Sequence, residues 1–166
     1  PNKFEETDVF ISLREHFING KPWVETDLFS RVVKDMDAGQ TKWGCKTPEK
    51  YLRRLENDVD TLFKSIKSEG YLTQVQMATE KYSDEIRVII DRSGKMLFLD
   101  GRHRLAISKI LGIEKIPVKI ILRHTKWVEF QNFILQYAKR NNNKIYQNIE
   151  HPDLYFIPAH HKDNRF

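Results

Sequence analysis

An α+β fold, a small mixed β-sheet with helices packed on it, is what this sequence predicts. Three observations carry that reading. Two short apolar runs, Ile86–Ile90 and Met96–Leu99, flank the turn Asp91-Arg92-Ser93-Gly94 and predict a strand pair. Between Thr47 and Gly70 the apolar residues recur at helical spacing. At Asp100-Gly101 the pattern changes directly from a strand run to a helical one, which ends at Gly112.

The chain has 166 residues, enough for one domain with a real core. Hydrophobic residues make up 40% and charged ones 31%, an ordinary composition for a water-soluble domain. Lys and Arg number 28 against 23 Asp and Glu, a net charge of +5, so an anionic partner fits. Because the two signs are interspersed, a nucleic-acid groove is not favoured. Cys45 is the single cysteine, which rules out an intrachain disulfide and a cysteine-based zinc site and predicts a reducing, cytoplasmic setting. No apolar run approaches membrane-spanning length and no signal peptide is visible, so a membrane is not expected as partner. The chain starts at Pro1 and carries no stop signal in its last residues, and a piece of a longer protein is expected.

Along the chain, Val9-Phe10-Ile11-Ser12-Leu13 and Phe17-Ile18 read as short strands, with Asn19-Gly20 the turn between extended segments. Thr26-Asp27 then opens a helix lined by Leu28, Val32, Val33 and Met36 and ended by Gly39. Residues 40–46 form a polar loop interrupted by Trp43. Thr47-Pro48-Glu49 combines a cap, a proline at the first helical position and a first-turn acid, and predicts one long helix to Glu69. Tyr51, Leu52, Leu55, Val59, Leu62, Phe63 and Ile66 form its apolar stripe. Arg53, Arg54, Glu56, Asp58, Lys64 and Lys67 read as its solvated face.

Val75–Thr79 is expected to be a strand and Lys81–Glu85 a loop. Met96–Leu99 reads as a buried strand. Ile116–Leu122 is the next strand, with Pro117 at its start. Thr125 caps a last helix on which Trp127, Phe130, Ile134 and Tyr137 share a face, as core or as a partner surface. The predicted organisation is a domain over 1–140, with strands and helices in 1–70, a motif-bearing core in 71–124 and a helix in 125–140. An extended arm over 141–166, including Leu154-Tyr155-Phe156-Ile157, follows it. His151-Pro152-Asp153 and His160-His161 lack a carboxylate at ligand spacing and read as packing or solvated groups rather than metal ligands.

The chemistry concentrates at Asp100-Gly101-Arg102-His103-Arg104. A strand that feeds a helix through glycine leaves the first helical N–H groups without partners, and the helix dipole adds about half a positive charge there. Three consecutive basic residues on that first turn are unfavourable unless an anion joins them, which predicts a phosphate site. Charge-assisted hydrogen bonds contribute roughly 1.5–3 kcal/mol each and micromolar binding needs about 8 kcal/mol, so a di- or triphosphate also needs a pocket for its base and ribose.

The order strand, Asp-Gly-Arg-His-Arg, helix, Leu111-Gly112, Ile116-Pro117-Val118 resembles the ParB/sulfiredoxin superfamily over roughly Val59 to Leu122. That resemblance implies a ParB/sulfiredoxin-like fold over 1–140 and nucleotide phosphates bound at the helix corner. Sulfiredoxins carry a catalytic cysteine where Arg102 stands, so thiol chemistry is disfavoured. ParB partition proteins follow the motif with a helix-turn-helix, whereas one clear helix follows here. The corner is most similar to the archaeal free-serine kinase type, Asp-Gly-His-His-Arg, which Asp100, Gly101, His103 and Arg104 match and Arg102 does not. The resemblance implies catalytic roles for Asp100 and His103 and a base in the N-terminal segment, for which Glu25 is the candidate. Gly101, Arg102, His103 and Arg104 are the expected nucleotide-binding residues, and Asp100 the expected Mg²⁺ ligand.

The function expected is that of a kinase: phosphoryl transfer from ATP, ADP or another nucleotide, with Mg²⁺, to a small hydroxylated acceptor. The alternatives are a nucleotide-binding regulatory module without turnover, part of a larger protein such as a methyltransferase-containing one, and a ParB-like DNA-binding or nuclease domain.

Overall fold

The computed structural model describes residues 3–73, 76, 85–140 and 151–154. The chain divides into two compact units, Pro1–Ile86 with Asp100–Lys119, and Arg87–Leu99 with Ile120–Phe166. The fold is α+β with a small mixed sheet.

In the first unit a 3₁₀ turn, Phe4–Glu6, precedes helix α1, Asp8–Asn19. The two strands expected over 9–18 are therefore a helix. Val9, Phe10, Ile11, Phe17 and Ile18 favour strands by propensity, but burial of one helical face decides the outcome. Val9, Phe10 and Leu13 all sit in the core. Thr7 Oγ1 accepts the Phe10 N–H at the start of α1. Gly20, at φ 71°, ends it by donating to the His16 carbonyl at 3.1 Å, so Asn19-Gly20 is a helix stop rather than a strand turn.

A second 3₁₀ turn, Trp23–Glu25, leads to α2, Asp27–Asp37, with Thr26 capping the Phe29 N–H. Ser12 of α1 accepts the Leu28 N–H at 3.0 Å and ties the two helices together. The helix expected over 48–69 has three pieces: α3, Pro48–Arg54; a π-helical turn, Leu55–Val59; and α4, Asp60–Glu69. Tyr51, Leu55, Val59 and Phe63 are spaced by four, and four residues overshoot one α-helical turn by about 40°. The wider π turn takes up that drift, and all four side chains stay within 8% exposure. Helix α5, Arg102–Ile110, buries Ala106 and Ile107 in the same core, against α1 and α4.

The sheet has the order β2-β1-β3, with β1 Arg87–Ile90, β2 Met96–Asp100 and β3 Lys119–Arg123. Asp91 builds the turn between β1 and β2, its Oδ1 accepting from Ser93 N–H at 2.8 Å and Lys95 N–H at 2.9 Å. Along β3, Lys119 N–H reaches the Ile86 carbonyl and His124 N–H the Ile90 carbonyl, the ascending register of a parallel pair. β3 begins at Lys119 rather than Ile116 because Pro117 has no N–H for the ladder. The expected burial of Met96–Leu99 is not found. β2 is an edge strand, and Leu97, Phe98 and Leu99 are 37%, 42% and 50% exposed.

In the second unit α6, Thr125–Arg140, packs Trp127 with Ile90 and Leu154. Its cap is His124, whose Nδ1 accepts the Lys126 N–H at 3.1 Å, and Thr125 is already its first residue. Trp127 and Ile134 are buried while Phe130 and Tyr137 are largely exposed, so half of the expected stripe is core. Residues 151–154 make a turn rather than an extended arm, and Asp153 is buried in it. Of the expected strand Val75–Thr79 only Gln76 is described, in a turn, and the rest of it, the loop before Glu85, Tyr155–Ile157 and His160-His161 lie outside the described residues. Among the described residues no helix is long and apolar enough to cross a membrane.

Candidate functional site

The chain passes from β2 into α5 through Gly101, whose left-handed backbone, φ 91°, makes the corner. The first intrahelical bond of α5 is Leu105 N–H to the Gly101 carbonyl, at 3.0 Å. Among the described residues no side chain caps the N–H groups of Arg102, His103 and Arg104 ahead of it. Asp100 is no cap for them either. Its Oδ1 accepts from the adjacent Gly101 N–H at 2.8 Å.

The two arginines differ in setting. Arg102 is exposed; Arg104 is buried, its guanidinium 5.8 Å from the centre of the Tyr71 ring. Burial pushes the Tyr71 hydroxyl up to about 12, so it stays protonated and donates to Glu85 Oε2 at 3.2 Å. Among the described residues neither Arg102 nor Arg104 forms an ion pair with a carboxylate, although seven other Lys or Arg ion pairs are present.

His103 corrects the expectation of three positive charges. Burial, reinforced by Arg102 and Lys42, pushes its imidazole down to about 4, so it is neutral at pH 7. Its Nε2 is shielded from water and has no hydrogen-bond partner. Lys42 is also held below the usual lysine range, by burial and by Arg102. The corner is thus a place where cations weaken one another, and an anion is the group that relieves them.

A cavity of about 830 Å³ lies against this corner. Asp100, Gly101, Arg102, His103 and Arg104 all line it, so the structure brings together every residue expected at the motif. Glu25 is not among them: it stands exposed in the 3₁₀ turn after Trp23. The carboxylates on the cavity wall are Asp58, Glu85 and Asp100. Trp43 also lines it, at φ 51°, a rare conformation for a bulky residue. Its ring lies 4.9 Å from that of His103 and 5.6 Å from that of Tyr51.

Helix α3 and the π turn also line the cavity, with Lys50, Arg53, Arg54, Asn57 and Asp58. Arg53, Arg54 and Asp58 read as part of a solvated face in the sequence, and nothing there singles out Lys50 or Asn57. The recurrence at positions 50, 53, 54, 57 and 58 is ordinary helical spacing, so no local signal sets this face apart.

Asp100 suits Mg²⁺ only in company. Among the described residues no group of three or more His, Cys, Asp or Glu side chains forms a metal cage, whereas magnesium is ordinarily held by one or two carboxylates plus phosphate oxygens. A single carboxylate at Asp100 would fit that pattern only with phosphate oxygens beside it. No protein-family model, curated protein or solved structure matches this chain.

Proposed function

We propose that the cavity binds ATP or ADP through its phosphates at the first turn of α5, and that the chain is a phosphotransferase of ParB/sulfiredoxin-like type acting on a small hydroxylated acceptor. The observation that carries this reading is the pair Arg102 and Arg104, without acidic partners, at the uncapped N-terminus of α5 on the wall of a large cavity.

Phosphoryl transfer needs positioning and charge neutralisation more than covalent help. The α5 amides and the two arginines hold the phosphate oxygens. Mg²⁺ beside Asp100 would neutralise charge on the phosphates. The acceptor oxygen bonds to the terminal phosphorus as the bridging P–O bond breaks, and the hydroxyl proton passes to His103. A neutral imidazole can accept it, and a weak base suffices because little proton transfer is needed before a loose transition state. Glu85, on the cavity wall and hydrogen-bonded to Tyr71, replaces Glu25 as the nearby acid.

One observation favours binding without turnover: the Nε2 of His103 is shielded in the free protein. The experiment is ³¹P NMR of the chain with ATP or ADP, Mg²⁺ and a panel of hydroxylated compounds. A new phosphate ester is expected, lost in Asp100→Asn while nucleotide affinity stays within about tenfold. Binding with no product on any acceptor leaves the regulatory reading in its place.

A further inference from the structure

The geometry points to an acceptor that carries its own anionic group, a carboxylate or a phosphate, held by Lys50 and Arg53, which α3 contributes to the same cavity as the α5 corner. This inference rests on the phosphotransferase reading of the same cavity. Lys50 and Arg53 are three residues apart on α3, so they share a helical face, and both line the cavity. Neither forms an ion pair among the described residues.

Arg54 is different, and the contrast sharpens the argument. Its Nε donates to Asp58 at 2.8 Å, its Nη1 donates to the Trp43 carbonyl at 2.7 Å, and its guanidinium lies over the Trp43 ring. Arg54 serves as a brace for the strained Trp43 loop, while among the described residues Lys50 and Arg53 form no hydrogen bond of that kind.

A neutral acceptor has no use for two cations, since Asn57 and Thr61 on the same wall offer uncharged hydrogen-bonding groups. The nucleotide phosphates are already served from α5 by the amides, Arg102 and Arg104. Space permits both ligands. About 830 Å³ lies near the top of the roughly 300–1,000 Å³ range for one drug-sized ligand. His103 lines the same cavity from α5.

The test is calorimetric titration of glycerate, glycerol 3-phosphate and neutral glycerol into the protein, with and without saturating ATP and Mg²⁺. Wild type is expected to bind one or both anions and not glycerol, and the choice between them tells carboxylate from phosphate. Lys50→Ala/Arg53→Ala is expected to weaken anion binding at least tenfold and to leave ATP affinity within about twofold. Both positions are exposed on a helix, where alanine is well tolerated. The inference is overturned if wild type binds neither anion, if the double variant binds them as wild type does, or if it loses ATP as fully as Arg102→Glu. Should ATP fail to bind wild type while the anions bind and need Lys50 and Arg53, the wall stands and the nucleotide reading falls.

Discussion

Gly101 meets Ile86 so closely that no side chain fits between them: a Cβ on Gly101 would lie 2.7 Å from Ile86 Cα and 2.9 Å from the Glu85 carbonyl oxygen. Its φ of 91° is also a conformation that L side chains avoid. Gly101→Ala is therefore expected to destabilise the chain by about 2–4 kcal/mol in urea unfolding and to weaken nucleotide binding. Gly112→Ala is the control. It shares a positive φ but faces open space, so about 1 kcal/mol is expected. Equal costs at the two positions would contradict the close approach.

His103 gives a pH dependence of defined sign. Its imidazole is depressed from 6.5 to about 4, chiefly by burial, so the unfolded chain binds more protons between those values. Its contribution is complete above pH 6.5, fades as pH falls, and is gone near pH 4. The change is on the order of 3 kcal/mol. His103→Gln should flatten that part of the stability profile. A bound phosphate should raise the imidazole and draw in a proton near pH 6. Binding heats measured in buffers of different ionisation enthalpy should then diverge for wild type and coincide for His103→Gln.

In the second unit Asp153 accepts from Arg123 Nη2 at 2.6 Å, Trp127 Nε1 at 2.9 Å and Gln131 Nε2 at 2.8 Å. Burial pushes its carboxyl up, but the hydrogen bonds from Arg123 and Trp127 outweigh that and hold it below the ordinary 3.8. Its contribution is therefore present above pH 3.8 and lost as pH falls through the lower folded value. That window lies below the one assigned to His103. Asp153→Ala leaves three donors without an acceptor and is expected to cost about 2–3 kcal/mol, less than a fully buried pair because Arg123 is partly solvated. Chemical denaturation at pH 7 measures it, and a change under 0.5 kcal/mol would contradict the role.

The elements around the site were legible where local chemistry and tertiary packing agree. Thr26, Thr47 and Gly70 mark helix ends by cap and stop geometry that depends on a few neighbouring residues. The switch at Asp100-Gly101 was legible for the same reason. Helix α1 was not, because Val9 to Ile18 is rich in strand formers and only its packing on α2 and α5 makes it helical. The exposure of Leu97–Leu99 depends on the place of β2 at the sheet edge, which no local pattern encodes. Arg53 looked like solvated surface and Lys50 gave no signal, because only the fold makes α3 line the same cavity as the α5 corner. The neutrality of His103 depends on burial and on Lys42, some sixty positions away in the chain.

The account stands on the first turn of α5 being a socket for phosphate oxygens, and calorimetric titration of ATP, with and without Mg²⁺, into wild type and Arg102→Glu tests it most directly. Arg102 is exposed, so the variant should fold as wild type does. Wild type is expected to bind at micromolar Kd, and reversing that charge to weaken binding at least tenfold. Equal affinity in the two proteins, or no binding of nucleotide by wild type at low salt, would contradict it.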